Sequence, residues 1–197
     1  LIYGDYDVDG TCSVVVLQTA IELCGGARPD FHVPHRLRDG YGMRPEVVDE
    51  AAAGGVRLII SVDTGIRAAD VVRHARELDI DVIVTDHHLP EADLPPAVAV
   101  LNPNQPACTY PYKELCGAGV VFKLAQALLG GMDWTEARRV RMLESLLKLV
   151  AIATVDRVGR KPLLLVGSIG MTISLATVAY LFGTAPLAEN GQPTLAG

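Results

Sequence analysis

The chain has 197 residues, half of them hydrophobic, with a mean hydropathy of +0.29 and a formal net charge of −6. That length is enough for one domain with a sizeable core and a short appendage. The acidic balance excludes a global basic footprint for nonspecific DNA binding and leaves only a local basic groove.

Strand and helix signals alternate from the first residue. Leu1-Ile2-Tyr3 reads as a buried strand, and Thr11–Leu23 as a helix ended by Gly25-Gly26. Asp30–Pro34 reads as a short strand. Pro45–Ala53 reads as a helix with Pro at its start, where the missing N–H costs nothing. Arg57–Val62 and Asp81–Thr85 are strands around a helix at Arg67–Leu78, and Ala97–Leu101 is a further strand. A proline-rich loop leads to helices at Val120–Leu129 and Thr135–Thr154. This alternation predicts an α/β fold with a doubly wound parallel sheet. Residues 163–183 carry no charge and are long enough for an apolar, membrane-crossing C-terminal helix. Arg157, Arg160 and Lys161 would hold its N-terminal end in the cytoplasm. No signal peptide is visible. The start at Leu1, inside an expected strand and without an initiator Met, leads us to expect a piece of a longer protein. Cys12, Cys24, Cys108 and Cys116 show no zinc spacing, so free thiols in a reducing cytoplasm are expected.

Three acidic motifs follow three apolar strands. Gly4-Asp5-Tyr6-Asp7-Val8-Asp9-Gly10 follows the first, Asp63-Thr64-Gly65 the third, and Asp86-His87-His88 the fourth. Functional groups gather beyond the carboxyl ends of strands in such sheets. Carboxylate and imidazole ligands crowded together suit Mn²⁺ or a similar divalent ion. On an extended turn, Asp7 and Asp9 would face one way, with Asp5 close behind. The bland alternative is that these aspartates only cap a helix. Asp63 reads as a bridge between two ions or, taken alone, as an Asx turn. One histidine would bind metal while the other contacts a phosphate, and Asp86 would bind metal or orient a histidine. Gly117-Ala118-Gly119, opening a helix, offers N–H groups to a phosphate, although close packing explains it as well. Arg36, Arg38 and Tyr41 lie in a basic loop able to hold a phosphate and stack a base, or to serve as a solvated turn. A two-metal centre fits phosphodiester hydrolysis because both reacting oxygens need charge neutralisation.

These three motifs together resemble the DHH phosphoesterase family. Arg36-Leu37-Arg38-Asp39-Gly40-Tyr41-Gly42-Met43, Asn102-Pro103-Asn104-Gln105-Pro106 and the segment Cys116–Leu124 resemble its RecJ-like branch. The resemblance spans residues 1–155 and implies a cytoplasmic exonuclease. It would cut single-stranded DNA from the 5′ end with Mn²⁺ or Mg²⁺, using two ions and no protein partner. It implies Asp7, Asp9, Asp63 and His87 as metal ligands, Asp5 and Asp86 as supports, and His88 near the scissile phosphate. Tyr3 stands where some members carry His. The family's fourth motif places an Asp where Arg157 stands, with Asp156 one position early. A DNA-binding module without activity, or an enzyme for short oligonucleotides or cyclic dinucleotides, are the alternatives. Residues 156–197 resemble a segment of sugar transporters of the major facilitator type. That suggests two unrelated pieces joined in one chain, with membrane contact through 163–183; a transporter fragment is the reading of this tail alone.

Overall fold

A computed structural model describes residues 1–158 and 160–184, with side chains for 1–155 and 168–181. In chain order the elements are β1 (Ile2–Tyr3), α1 (Val8–Leu23), β2 (Phe31–His32), α2 (Pro45–Ala53), β3 (Leu58–Val62), α3 (Ala69–Glu77), β4 (Asp81–Thr85), β5 (Ala99–Leu101), α4 (Gly117–Gly130), α5 (Glu136–Val158) and α6 (Arg160–Thr184). The chain divides into two units, Leu1–Arg157 and Val158–Gly197.

In the first unit all strand pairs are parallel and the order is β2-β1-β3-β4-β5. The chain steps from β1 to one neighbour, β2, and then returns to the other side at β3. That reversal opens a crevice at the carboxyl ends of β1 and β3. Successive strand residues face opposite layers. Ile2 and Val62 pack with Val16, Leu17 and Ala20 of α1 and with Val121, Ala125 and Leu129 of α4. Tyr3, Ile59, Val82 and Val84 pack with Val48 of α2 and with Val72 and Ala75 of α3. Both sheet faces are therefore covered, which is why the strands read as continuous apolar runs. Full burial of a side chain such as Leu17 or Ile59 is worth about 2 kcal/mol.

Helix starts differ from the sequence expectation. α1 begins at Val8 and α4 at Gly117, each three residues early. Both shifts arise at the candidate site, where Asp7 caps α1 locally and Asp9 accepts the first N–H groups of α4. The four cysteines are free thiols.

The second unit contains α6, which agrees with the expected C-terminal helix. Among the described residues, no helix is long and apolar enough to cross a membrane. This corrects the membrane-crossing expectation as far as the described residues reach. The side chains of Asp156 and Arg157, on which the fourth-motif comparison falls, lie outside them.

Candidate metal centre

Sheet register decides which acidic groups meet. Tyr3, Ser61 and Val84 form one row across β1, β3 and β4. Asp5, Asp63 and Asp86 each follow two residues later, so the continued row carries three aspartates into the crevice. The ladder extends that far: the Asp63 N–H donates to the Thr85 carbonyl at 2.9 Å, and the Asp86 N–H to the Leu101 carbonyl at 3.0 Å.

Asp7 is the N-cap of α1, its Oδ1 accepting the Gly10 N–H at 2.8 Å. The helix therefore starts early, and Asp9 sits in its first turn. Asp7 and Asp9 do not share a face of an extended segment, contrary to the sequence argument. Asp9 reaches α4 instead. Its Oδ2 accepts the Gly117 N–H and its Oδ1 the Ala118 N–H, both at 2.7 Å. A carboxylate at a helix N-terminus satisfies donors that have no partner within the helix. In this structure the chain's own anion, Asp9, takes the Gly117 and Ala118 donors. Gly119 faces Leu115 and Cys116. Gly117 has a second function: a Cβ there would overlap the Asp63 carboxylate.

Asp63 is the centre of the arrangement. It is 1% exposed and holds a left-handed φ of 61°, which Asp tolerates better than most side chains. His87 Nε2 lies 3.1 Å from Asp63 Oδ1 and 3.7 Å from Asp9 Oδ2. Asp63 Oδ1 is buried and makes no hydrogen bond. Ligand-type atoms of Asp5, Asp7 and Asp63 lie within 4.8 Å of one another, as do those of Asp63, His87 and His88. Asp63 thus belongs to two groups. Burial first, then the charges of Asp9 and Asp7, push its carboxyl up to about 9. Burial also raises Asp5, although its Oδ1 accepts the Tyr6 N–H at 2.8 Å. A buried carboxylate oxygen without a hydrogen bond, set amid like charges, suits a cation, and carboxylate with imidazole suits Mn²⁺.

Asp86 behaves differently. Its Oδ1 accepts the His87 N–H at 2.7 Å, the His88 N–H at 3.1 Å and His88 Nδ1 at 2.7 Å; its Oδ2 accepts the Ile66 N–H at 3.0 Å. Burial works to raise this carboxyl, but those hydrogen bonds outweigh it and hold the pKa below the ordinary value. Asp86 therefore orients histidine. The same bond raises His88, with burial opposing it. An ionised Asp86 requires the proton on His88 Nδ1. The Tyr41 hydroxyl, 3.2 Å from that nitrogen, can then only accept a weaker branch of its hydrogen bond.

The basic loop reaches the site unevenly. Tyr41 meets His88 edge-on, with ring centroids 5.7 Å apart. The Arg36 guanidinium lies 5.5 Å from the centroid of Tyr6, inside the first acidic motif. Arg38 is exposed, and Arg44 pairs with Asp39 and Glu46. A cleft of about 530 Å³ runs from Tyr41 and Asp86 past Thr64 to Arg67 and Arg73.

Sequence reasoning missed Tyr3 as a support. Its buried ring lies tilted against His32, with centroids 5.0 Å apart, and its hydroxyl donates to the Gly42 carbonyl at 3.3 Å and accepts the Arg44 N–H at 3.2 Å. This ties β1 to the loop carrying Tyr41. A tyrosine ending a buried strand signals such a contact, since its hydroxyl needs a partner. Asn102 and Asn104, read only for their resemblance, were missed as well.

Two family models match the chain. The DHH family, N-terminal domain, matches residues 1–154, and the sugar (and other) transporter family matches residues 140–194. The single-stranded-DNA-specific exonuclease RecJ of Escherichia coli is 46% identical over 160 residues, covering 79% of this chain and 28% of that protein. The chain thus spans little more than a quarter of that relative. A glucose transport protein of Synechocystis sp. is 43% identical over 91 residues, covering 43% of this chain and 19% of that protein. A crystal structure of exonuclease RecJ bound to manganese superposes with a TM-score of 0.67 at 32% identity, covering 78% of this chain and 37% of that one.

Proposed function

Because the chain belongs to the DHH family over residues 1–154, we propose that it hydrolyses phosphodiesters of single-stranded DNA from the 5′ end, with two Mn²⁺ or Mg²⁺ ions. The observation that carries this reading is Asp63, which belongs to both ligand groups and whose buried Oδ1 makes no hydrogen bond. Asp5, Asp7 and Asp63 would hold one ion, and Asp63 with His87 the other, with Asp9 alongside. Bound divalent ions acidify the attacking water and neutralise charge on the attacking and leaving oxygens. Water adds to phosphorus, the bond to O3′ breaks, and a phosphomonoester and an alcohol result. His88 keeps its Nδ1 proton on Asp86 and leaves its other ring nitrogen for the scissile phosphate. Arg36 and Tyr41 take the substrate strand, by charge and by stacking. The relatives named RecJ support the substrate class.

The test is release of nucleotides from 5′-phosphorylated single-stranded DNA by the full chain. Mn²⁺-dependent release, abolished by a chelator, is the expected result. No release from a chain shown to be folded by circular dichroism would favour a DNA-binding module, as would the Arg157 that replaces the family's Asp. Release from cyclic dinucleotides alone would move the substrate class.

We further infer that residues 156–197 are a transporter-like appendage on a DHH unit at 1–155. The two family matches overlap at 140–154, within α5. Amplification across codons 150–160 from source DNA tests the join. A continuous product establishes a gene fusion, and its absence identifies an assembly error.

A further inference from the structure

We propose that Asn102 and Asn104 are positioning residues that fix the backbone of the histidine pair. The inference rests on the reading of His87 and His88 given above.

The pairing of β4 with β5 ends where the Asp86 N–H meets the Leu101 carbonyl. Beyond it, the carbonyls of His87 and His88 have left the regular ladder and need other donors, since an unmade backbone hydrogen bond in a closed site is costly. The two asparagines just past β5 supply them. Asn104 Nδ2 donates to the His87 carbonyl at 2.6 Å, and Asn102 Nδ2 to the His88 carbonyl at 2.9 Å. Asn102 Oδ1 accepts the Asn104 N–H at 2.7 Å, an Asx turn that presents both amides together. Asn102 is 3% exposed.

The turn is itself braced. Gln105 Nε2 donates to the Val100 and Asn102 carbonyls at 3.0 and 3.1 Å. Lys113 Nζ donates to the Pro103 and Cys108 carbonyls at 2.6 and 2.8 Å. Asp86 holds the N–H groups of both histidines, and the asparagines hold their carbonyls. The dipeptide is gripped from both sides, so the position of the His87 imidazole beside Asp63 follows from a fixed backbone.

Titrating the metal-free full chain with Mn²⁺, followed by electron paramagnetic resonance of the free ion, tests this. Spin-echo modulation of the bound ion reports coordinated histidine nitrogen. Asn104→Leu, close in size and without a donor, is expected to raise the Mn²⁺ Kd about tenfold or more. It should also weaken the nitrogen modulation while the metal-free melting temperature moves little. Should that variant not fold, Asn104→Ala gives the same readouts. Wild-type Kd and modulation in a folded variant would overturn the inference. A wild-type chain that takes up no Mn²⁺ would overturn the metal reading itself, a distinguishable result.

Discussion

Asp63→Asn is expected to cut metal-dependent hydrolysis by roughly 10²–10³-fold or more, while making the metal-free chain more stable at neutral pH. The substitution keeps the size of the side chain and its tolerance of the left-handed backbone at φ 61°. It removes the charge shared by both ligand groups, so neither ion is held properly. The stability effect has the opposite sign for an electrostatic reason. The Asp63 carboxyl is pushed up to about 9 in the folded, metal-free chain, whereas an unfolded aspartate titrates near ~3.9. Between those values folding takes up a proton, so stability falls as pH rises, by about 1.4 kcal/mol per pH unit. The contribution is complete below the unfolded value and lost as pH rises through the folded one. Asparagine has no such proton. The variant should therefore melt above the wild type at pH 8, with the gap closing as pH falls towards 5. Saturating Mn²⁺ should reverse the order, because only the wild type gains binding energy. Thermal melts across pH, with and without Mn²⁺, check this. Retained activity, or a gap that does not grow with pH, would sink the assignment of Asp63.

Gly117→Ala is expected to destabilise the chain by about 1–3 kcal/mol and to lower activity at least about a hundredfold. Helix propensity alone predicts the reverse, a gain of roughly 1 kcal/mol for alanine over glycine. The added Cβ would lie 2.5 Å from Asp63 Cγ and 2.6 Å from Asp63 Cβ. Neither neighbour yields cheaply. Asp63 is fixed by the end of β3, and α4 is held by the two amide bonds to Asp9. Relief requires turning the Asp63 carboxyl or moving α4 off Asp9, and either disturbs the candidate metal ligands. Urea unfolding paired with nucleotide-release kinetics reads both effects. A stabilised, active variant would show that Gly117 is a helix residue without a spatial constraint.

The positions β3, β4, Asp63 and Asp86-His87-His88 were legible because the signal is local. A wholly apolar run must be a buried strand, and an acidic group at its end must lie where the sheet opens. Three such strand ends in one parallel sheet leave a single crevice for their aspartates. Asp9 was legible as a candidate but not in its placement. Its partners lie 108 and 109 positions away in sequence, beyond any periodicity. The same holds for the loop that grips the histidines, where Asn104 reaches back 17 positions to His87.

By itself, the sequence determined the strand-helix alternation, the acidic strand ends and their suitability for divalent ions, because side-chain type and local spacing carry that information. The tertiary structure alone decided that Asp9 would cap α4, that Asp63 would keep a buried oxygen without a hydrogen bond, and that Gly117 would make room for it. Those outcomes depend on the register of the sheet and the close approach of α1 and α4, which arise only when distant segments pack together.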